Sequence, residues 1–191
     1  MKRLLLVLIL TISLQSWTKA DDIRDFEIEG ISVGDSLLDF FSEKKININS
    51  FKTNFPKNNE IYKNISIKEK VGKYDGMKFY VKINDKQYKI YALEGWKIFY
   101  STSKCLKLKK NILNEIISII NVIERNDLES KYPQYTNSKF YVTDLKTNNG
   151  HIKVWCNDFS ADSNVGEKWR NSLAIAINSK VFSEYVDETY K

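Results

Sequence analysis

The stretch Lys104-Cys105-Leu106-Lys107-Leu108-Lys109-Lys110-Asn111-Ile112-Leu113-Asn114-Glu115-Ile116-Ile117-Ser118-Ile119-Ile120-Asn121-Val122-Ile123-Glu124 is the one place in the chain where a long helix is written plainly. Leu108, Ile112, Ile116, Ile119, Ile120 and Ile123 recur at steps of three and four, while Lys107, Lys110, Asn114, Ser118 and Asn121 fall mostly on the other side. That is the 3.6-residue period of an amphipathic helix. Taken from Leu108 to Ile123, the rod measures roughly 24 Å at about 1.5 Å per residue, enough to cross one face of a sheet of several strands. Isoleucine is a weaker helix former than leucine because its branched Cβ restricts χ1. Burial of the stripe, rather than local propensity, has to hold this segment helical.

Cys105 stands at the mouth of this helix, and the only other cysteine, Cys156, lies in the strand-like run His151-Ile152-Lys153-Val154-Trp155-Cys156. Ile152, Val154 and Cys156 share one face of that strand, and His151, Lys153 and Trp155 share the other. The cysteine points where the apolar residues point, towards the helix that carries its partner, so a Cys105–Cys156 disulfide is expected. Closing a loop of about 50 residues removes chain entropy equivalent to about 4 kcal/mol. The alternative, a redox or nucleophilic thiol, needs a resolving cysteine or a neighbouring base. No C-x-x-C is present, and His151 projects from the opposite face to Cys156.

The N-terminus reads as an export signal. Met1-Lys2-Arg3 precedes an almost unbroken apolar run from Leu4 to Leu14, and Thr18-Lys19-Ala20 leads to Asp21-Asp22. The run is shorter than the roughly 20 residues that span a bilayer, so residues 1–20 are taken as a cleavable signal peptide and 21–191 as a single α+β domain. An exported chain meets an oxidising compartment, periplasmic or extracellular, which suits the disulfide. The net charge of +6 falls to +3 once Lys2, Arg3 and Lys19 leave. That modest balance gives no support to nucleic acid as a partner, and no second apolar run remains for stable membrane insertion.

Along the rest of the chain, Ser32-Val33-Gly34-Asp35 resembles a capping box and predicts a short helix to about Ser42, burying Leu37, Leu38, Phe40 and Phe41. Lys44 to Asn59, with Pro56, reads as irregular surface with a short extended piece near Phe51. Ile61–Val71 alternates as a strand. Met77–Ile83 and Tyr88–Ala92, joined by Asn84-Asp85-Lys86-Gln87, form a hairpin. Gly95-Trp96 is expected to end or kink its second strand. Arg125–Ser138 reads as a connection. Phe140–Leu145 and His151–Phe159 flank the turn Thr147-Asn148-Asn149-Gly150 as a second hairpin. Leu173, Ile175 and Ile177 mark a last strand, and a terminal helix from Asn178 or Ser179 buries Phe182, Tyr185 and Val186. The architecture expected is an antiparallel sheet of about six strands in two hairpin groups, with the long helix and short N- and C-terminal helices on one face.

Chemistry is sparse. His151 is the only histidine, so a Ser-His-Asp site or a histidine-bound zinc would have to use it. The Asp158-Phe159-Ser160-Ala161-Asp162-Ser163-Asn164 run lacks the glycine and closing glutamate of an EF-hand loop, and reads as Asx turns. Lys107, Lys109 and Lys110 read as the solvated side of the helix. No catalytic residue, cofactor or metal site is assigned. The strongest candidate is a binding face of aromatics on the reverse of the sheet, Tyr80, Tyr91, Tyr141 and Trp155, able to stack on a sugar or bury against a protein unless another layer covers it.

The segment Phe26-Glu27-Ile28-Glu29-Gly30-Ile31-Ser32-Val33-Gly34-Asp35-Ser36-Leu37-Leu38, Cys105 at a helix start and Trp155-Cys156-Asn157-Asp158-Phe159 together resemble uncharacterised exported α+β proteins of small-genome marine bacteria. The resemblance implies export but brings no activity and no site residues. The Gly30–Leu38 run is also similar to the opening of small envelope-assembly lipoproteins, without their lipid-attachment cysteine. The sequence therefore points to a periplasmic or secreted binding or envelope-accessory module, with an envelope protein or glycan as partner. The alternative is a cell-envelope hydrolase using a carboxylate pair.

Overall fold

The computed structural model describes residues 22–53, 61–132, 135–159 and 170–190. The signal segment 1–20, Pro56 and most of the 158–164 run lie outside them.

The chain folds as α+β around one antiparallel sheet. Its strands are β1 (Ser50–Lys52), β2 (Tyr62–Ile67), β3 (Gly76–Lys82), β4 (Ile90–Ile98), β5 (Glu124–Tyr132), β6 (Tyr135–Thr147), β7 (Gly150–Asp158) and β8 (Ser172–Ser179). The helices are α1 (Glu43–Ile48), α2 (Thr102–Ile119) and α3 (Lys180–Thr189). The spatial order is β1-β2-β3-β4-β8-β7-β6-β5. Two meanders thus run inwards from the two edges, β1 to β4 and β5 to β8, and their last strands β4 and β8 pair in the middle. β8 is covered on both sides, with Leu173, Ala174, Ile175, Ala176 and Ile177 all buried.

On the front face, α2 lays Cys105, Leu113 and Ile116, and the residue after it Ile120, against Ile152, Val154, Leu173, Ile175 and Ile177. The N-terminal segment adds Ile23, Ile28, Ile31, Val33 and Leu37 to the same core, with Ile23 beside Gly150 of β7. Cys105 and Cys156 are joined as a disulfide with their Cα atoms 6.1 Å apart, pinning the first turn of α2 to β7.

Several expectations are corrected. Among the described residues the strands number eight, not six. β1 is only three residues long, and β5 (Glu-Arg-Asn-Asp-Leu-Glu-Ser-Lys-Tyr) carries charge on both faces with no apolar alternation. As an edge strand it needs only one hydrogen-bonded neighbour, and edge charges deter further pairing. The long helix stops at Ile119 because Ile120 turns to extended backbone, and Ile123 N–H donates to the Lys146 carbonyl at 2.8 Å. The β-branched run Ile119-Ile120-Asn121-Val122-Ile123 suits that extended conformation. Ile119 and Ile123 are accordingly exposed, while Lys109, expected on the solvated side, is buried.

Near the N-terminus, the Asp35 carboxylate accepts from Ser32 N–H at 2.8 Å, as a capping box would, but no helix follows at once. The chain instead bonds to the start of β4, with Gly34 N–H to Ile90 O at 2.8 Å and Leu37 N–H to Tyr88 O at 3.1 Å. Only a 3-10 turn, Leu37–Asp39, precedes α1, so Leu38 and Phe40 remain exposed. Strand β4 also runs straight through Gly95-Trp96 to Ile98.

The terminal helix is not on the face expected. Ser179 caps α3, its hydroxyl accepting from Phe182 N–H at 3.3 Å, and Lys180 N–H donates to Asn149 O at 2.9 Å. This start folds α3 back over the reverse face. There Phe182 and Tyr185 close on Tyr62, with ring centroids 5.1 and 5.0 Å away. Helices therefore cover both faces of the sheet.

Candidate functional site

Strand register sets out the reverse face as rows running across the sheet. One row is apolar: Leu128, Val142, Trp155, Ala174, Trp96 and Gly76 lie opposite one another on β5, β6, β7, β8, β4 and β3. Two residues along each strand runs a polar row of Asn126, Asp144, Lys153, Ala176, Glu94 and Lys78. A third row contains His151, Asn178, Ala92 and Tyr80, and α3 crosses above it.

Between α3 and these rows lies a cleft of about 250 Å³. Asp144, His151, Lys153, Glu94, Tyr80 and Trp155 form its sheet side; Phe182, Ser183, Val186, Asp187 and Tyr190 form its helix side. A second hollow of about 310 Å³ adjoins it and shares His151, Ser183 and Asp187, so His151 stands in the wall between the two.

The floor is built around one carboxylate. His151 Nδ1–H donates to Asp144 Oδ1 at 3.1 Å, and Lys153 Nζ lies 3.3 Å from Asp144 Oδ2. Burial would raise the Asp144 carboxyl pKa, but the hydrogen bond from His151 and the Lys153 charge outweigh it and hold the carboxyl below its usual range. Asp144 is thus an ionised acceptor with both oxygens engaged. Further along the row, Lys78 Nζ lies 3.5 Å from Glu94. Burial, with the Glu94 charge nearby, pushes the Tyr80 phenol well above its ordinary pKa, so it stays a neutral hydrogen-bond donor. Among the described residues, the Ser183 hydroxyl is the buried side-chain polar atom without a hydrogen-bond partner.

The four aromatics expected together are divided. Tyr80 and Trp155 line the cleft. Tyr91 occupies the bulge where β3 and β4 shift register, and its ring meets Tyr62 edge-on at 5.3 Å, so it helps seat α3. Tyr141 is on the front face, opposite Cys156 and packed against the main core. The expectation for Tyr141 is therefore corrected.

Residue alternation along β7 already set His151, Lys153 and Trp155 together. Asp144 was missed, though the Asn148-Asn149-Gly150 turn places it opposite Lys153 once Thr147 pairs with Gly150. Glu94 and Trp96 carry no signal in the sequence, because β8 must first insert between β4 and β7. The carboxylates of Glu94 and Asp144 rise from strands three spacings apart, about 14 Å between backbones at about 4.8 Å per strand. Among the described residues no group of three or more His, Cys, Asp or Glu is placed to hold a metal ion. Also among them, no helix is long and apolar enough to cross a membrane.

No protein-family model matches the chain, and no curated protein or solved structure matches it significantly.

Proposed function

We propose that this chain is an exported binding module that seats a neutral sugar ring in the reverse-face cleft. The observation that carries the reading is the Asp144–His151–Lys153 cluster beside the Tyr80 and Trp155 rings. A sugar ring offers hydroxyls that both donate and accept, and an apolar C–H face. The cleft supplies acceptors at Asp144 and Glu94, donors at Lys153 and Tyr80, an unpartnered hydroxyl at Ser183, and aromatic faces. Export rests on the N-terminal signal and is supported by the Cys105–Cys156 disulfide, which is kept in an oxidising compartment. An envelope or extracellular glycan is the source of sugar such a compartment provides.

The pairing of the sheet-side carboxylates favours binding over hydrolysis: Glu94 and Asp144 each already hold a lysine, which keeps both as hydrogen-bond acceptors.

Saturation-transfer NMR with glucose, galactose and N-acetylglucosamine tests the reading. Transfer from the protein to at least one sugar is expected, with loss of that transfer in Asp144→Ala and Lys153→Met variants whose circular dichroism is unchanged. No transfer to any of the three, or equal transfer in the variants, overturns it.

A further inference from the structure

A hollow of about 620 Å³ opens on the front face, on the other side of the sheet from the cleft. Its volume lies within the range of about 300–1,000 Å³ usual for small-molecule sites. Leu173 and Ile175 of β8, both buried, line it from the sheet, and α2 lines it with the stripe Leu108, Ile112, Ile116 and Ile119. Phe26, Ile28 and Tyr74 complete the apolar lining. Gly95 makes room for the Tyr74 ring, since a Cβ there would stand 2.8 Å from its Cδ1. From Leu108 to Ile119 the stripe runs about 16 Å at about 1.5 Å per residue.

One cation belongs to this lining. Lys97 of β4 lies opposite Leu173, and Leu173 lies opposite Cys156. The disulfide fixes the first turn of α2 to that same row, so Lys97 stands at the end of the hollow nearest Leu108. It is half-buried, and among the described residues its ammonium has no ion-pair partner. A cation held against apolar side chains costs desolvation that an anion brought to it would offset. The other charged groups of the lining, Glu27, Glu29, Lys73 and Glu115, are exposed, so solvent screens them. Burial, with the Glu29 charge adding to it, pushes the Tyr74 phenol up to about 12, which keeps it a neutral hydrogen-bond donor.

We infer that this hollow is a site for a free, unbranched fatty acid, its chain along the Leu108–Ile119 stripe and its carboxylate at Lys97. A long apolar lining with one unpaired, half-buried cation at its end asks for the matching polarity in a ligand. A sugar would leave its hydroxyls unpaired against leucine and isoleucine, and an uncharged alkyl chain would leave Lys97 as it is. A staggered chain with bonds of about 1.5 Å advances about 1.3 Å per carbon, so about twelve carbons fill the length of the stripe. The site lies on the opposite face from the sugar cleft and stands or falls independently of it.

The test is calorimetric titration of the oxidised protein with the saturated fatty acids of eight to sixteen carbons, each below its micelle concentration, with 1-decanol as the uncharged control. Because one side of the chain stays in water, each two carbons added up to about twelve should tighten binding about five-fold, less than the roughly fifteen-fold of full burial. Beyond about twelve carbons the gain should level off, where the stripe ends. Decanoate should bind about ten-fold more tightly than 1-decanol, and Lys97→Met should bring the two together without weakening the alcohol. Methyl NMR of the unaltered protein should place the decanoate shifts at Leu108, Ile112, Leu173 and Ile175. Binding by none of the acids, or methyl shifts elsewhere, overturns the site. A gain that continues undiminished to sixteen carbons overturns the assignment of the chain to this stripe. Equal affinity for acid and alcohol, or an unchanged preference in Lys97→Met, overturns the role of Lys97. Binding to phosphatidylglycerol vesicles in place of the monomeric acids overturns the inference in favour of a membrane surface.

Discussion

Replacing both Cys105 and Cys156 by alanine, or reducing the disulfide, releases α2 from β7 and opens a loop with a sequence separation of 51. The chain-entropy cost removed from the unfolded state by such a closure is about 4 kcal/mol. Against a usual total of about 5–15 kcal/mol for a domain, that is a large share. For a chain of this length each kcal/mol lowers Tm by about 2–4 °C, so a fall of about 8–16 °C is expected. Both cysteines are fully buried at the centre of the front face, so the loss comes with little change in surface chemistry. Urea unfolding followed by tryptophan fluorescence, on oxidised, reduced and double-alanine protein, measures it directly. Reduced and alanine forms should agree with each other. The m-value should rise slightly, because an uncrosslinked unfolded chain exposes more surface. A difference under 1 kcal/mol between oxidised and reduced forms would refute the argument that this staple constrains the unfolded chain. Free thiols found by alkylation of unreduced protein would remove its premise.

Lys109 is buried on α2, and burial lowers its amine pKa below 10.5 despite the nearby Asp127. Because the folded state disfavours the charged amine, the cost is fully present at neutral pH and fades as pH rises towards 10.5. Lys109→Met should therefore stabilise the protein by about 1 kcal/mol at pH 7, with a smaller advantage near pH 10, read from unfolding midpoints. Gly76→Ala drives a methyl into the Trp96 ring and to 2.7 Å from the Ile67 carbonyl, neither of which yields easily. A loss of about 1–3 kcal/mol and a shift in tryptophan emission are expected. The Asp144 carboxyl is held below its unfolded value of 3.8, so its contribution is present above that pH and is lost as pH falls through the lower folded value. Asp144→Asn should accordingly flatten the acid limb of stability below about pH 4, measured as unfolding midpoint against pH.

Much of this fold was legible because burial writes a period into the sequence. Residues 104–119 show the helical period, and β2, β3, β4, β7 and β8 alternate because one face of each meets the core. The disulfide followed from the parity of Cys156 with Ile152 and Val154. β5 was not legible, because Arg125, Asp127, Glu129 and Lys131 face one side of an edge strand that no core compels to be apolar. Nor was the side taken by α3, although Ala174 and Ala176 on the reverse of β8 were a hint, since small residues leave room for a second layer. Of the site, His151, Lys153 and Trp155 came from one strand and could be read together. Glu94, Trp96 and Ser183 join them only through strand order and helix placement, which no local pattern states.

The central claim, that the reverse-face cleft binds a sugar, is tested most directly by mapping backbone and indole NMR shifts while the β-1,4-linked dimer of N-acetylglucosamine is titrated in. The account predicts shifts concentrated at Asp144, His151, Lys153, Ser183 and the Trp155 indole. Shifts confined to α2 and the front face, or none at all, would contradict it.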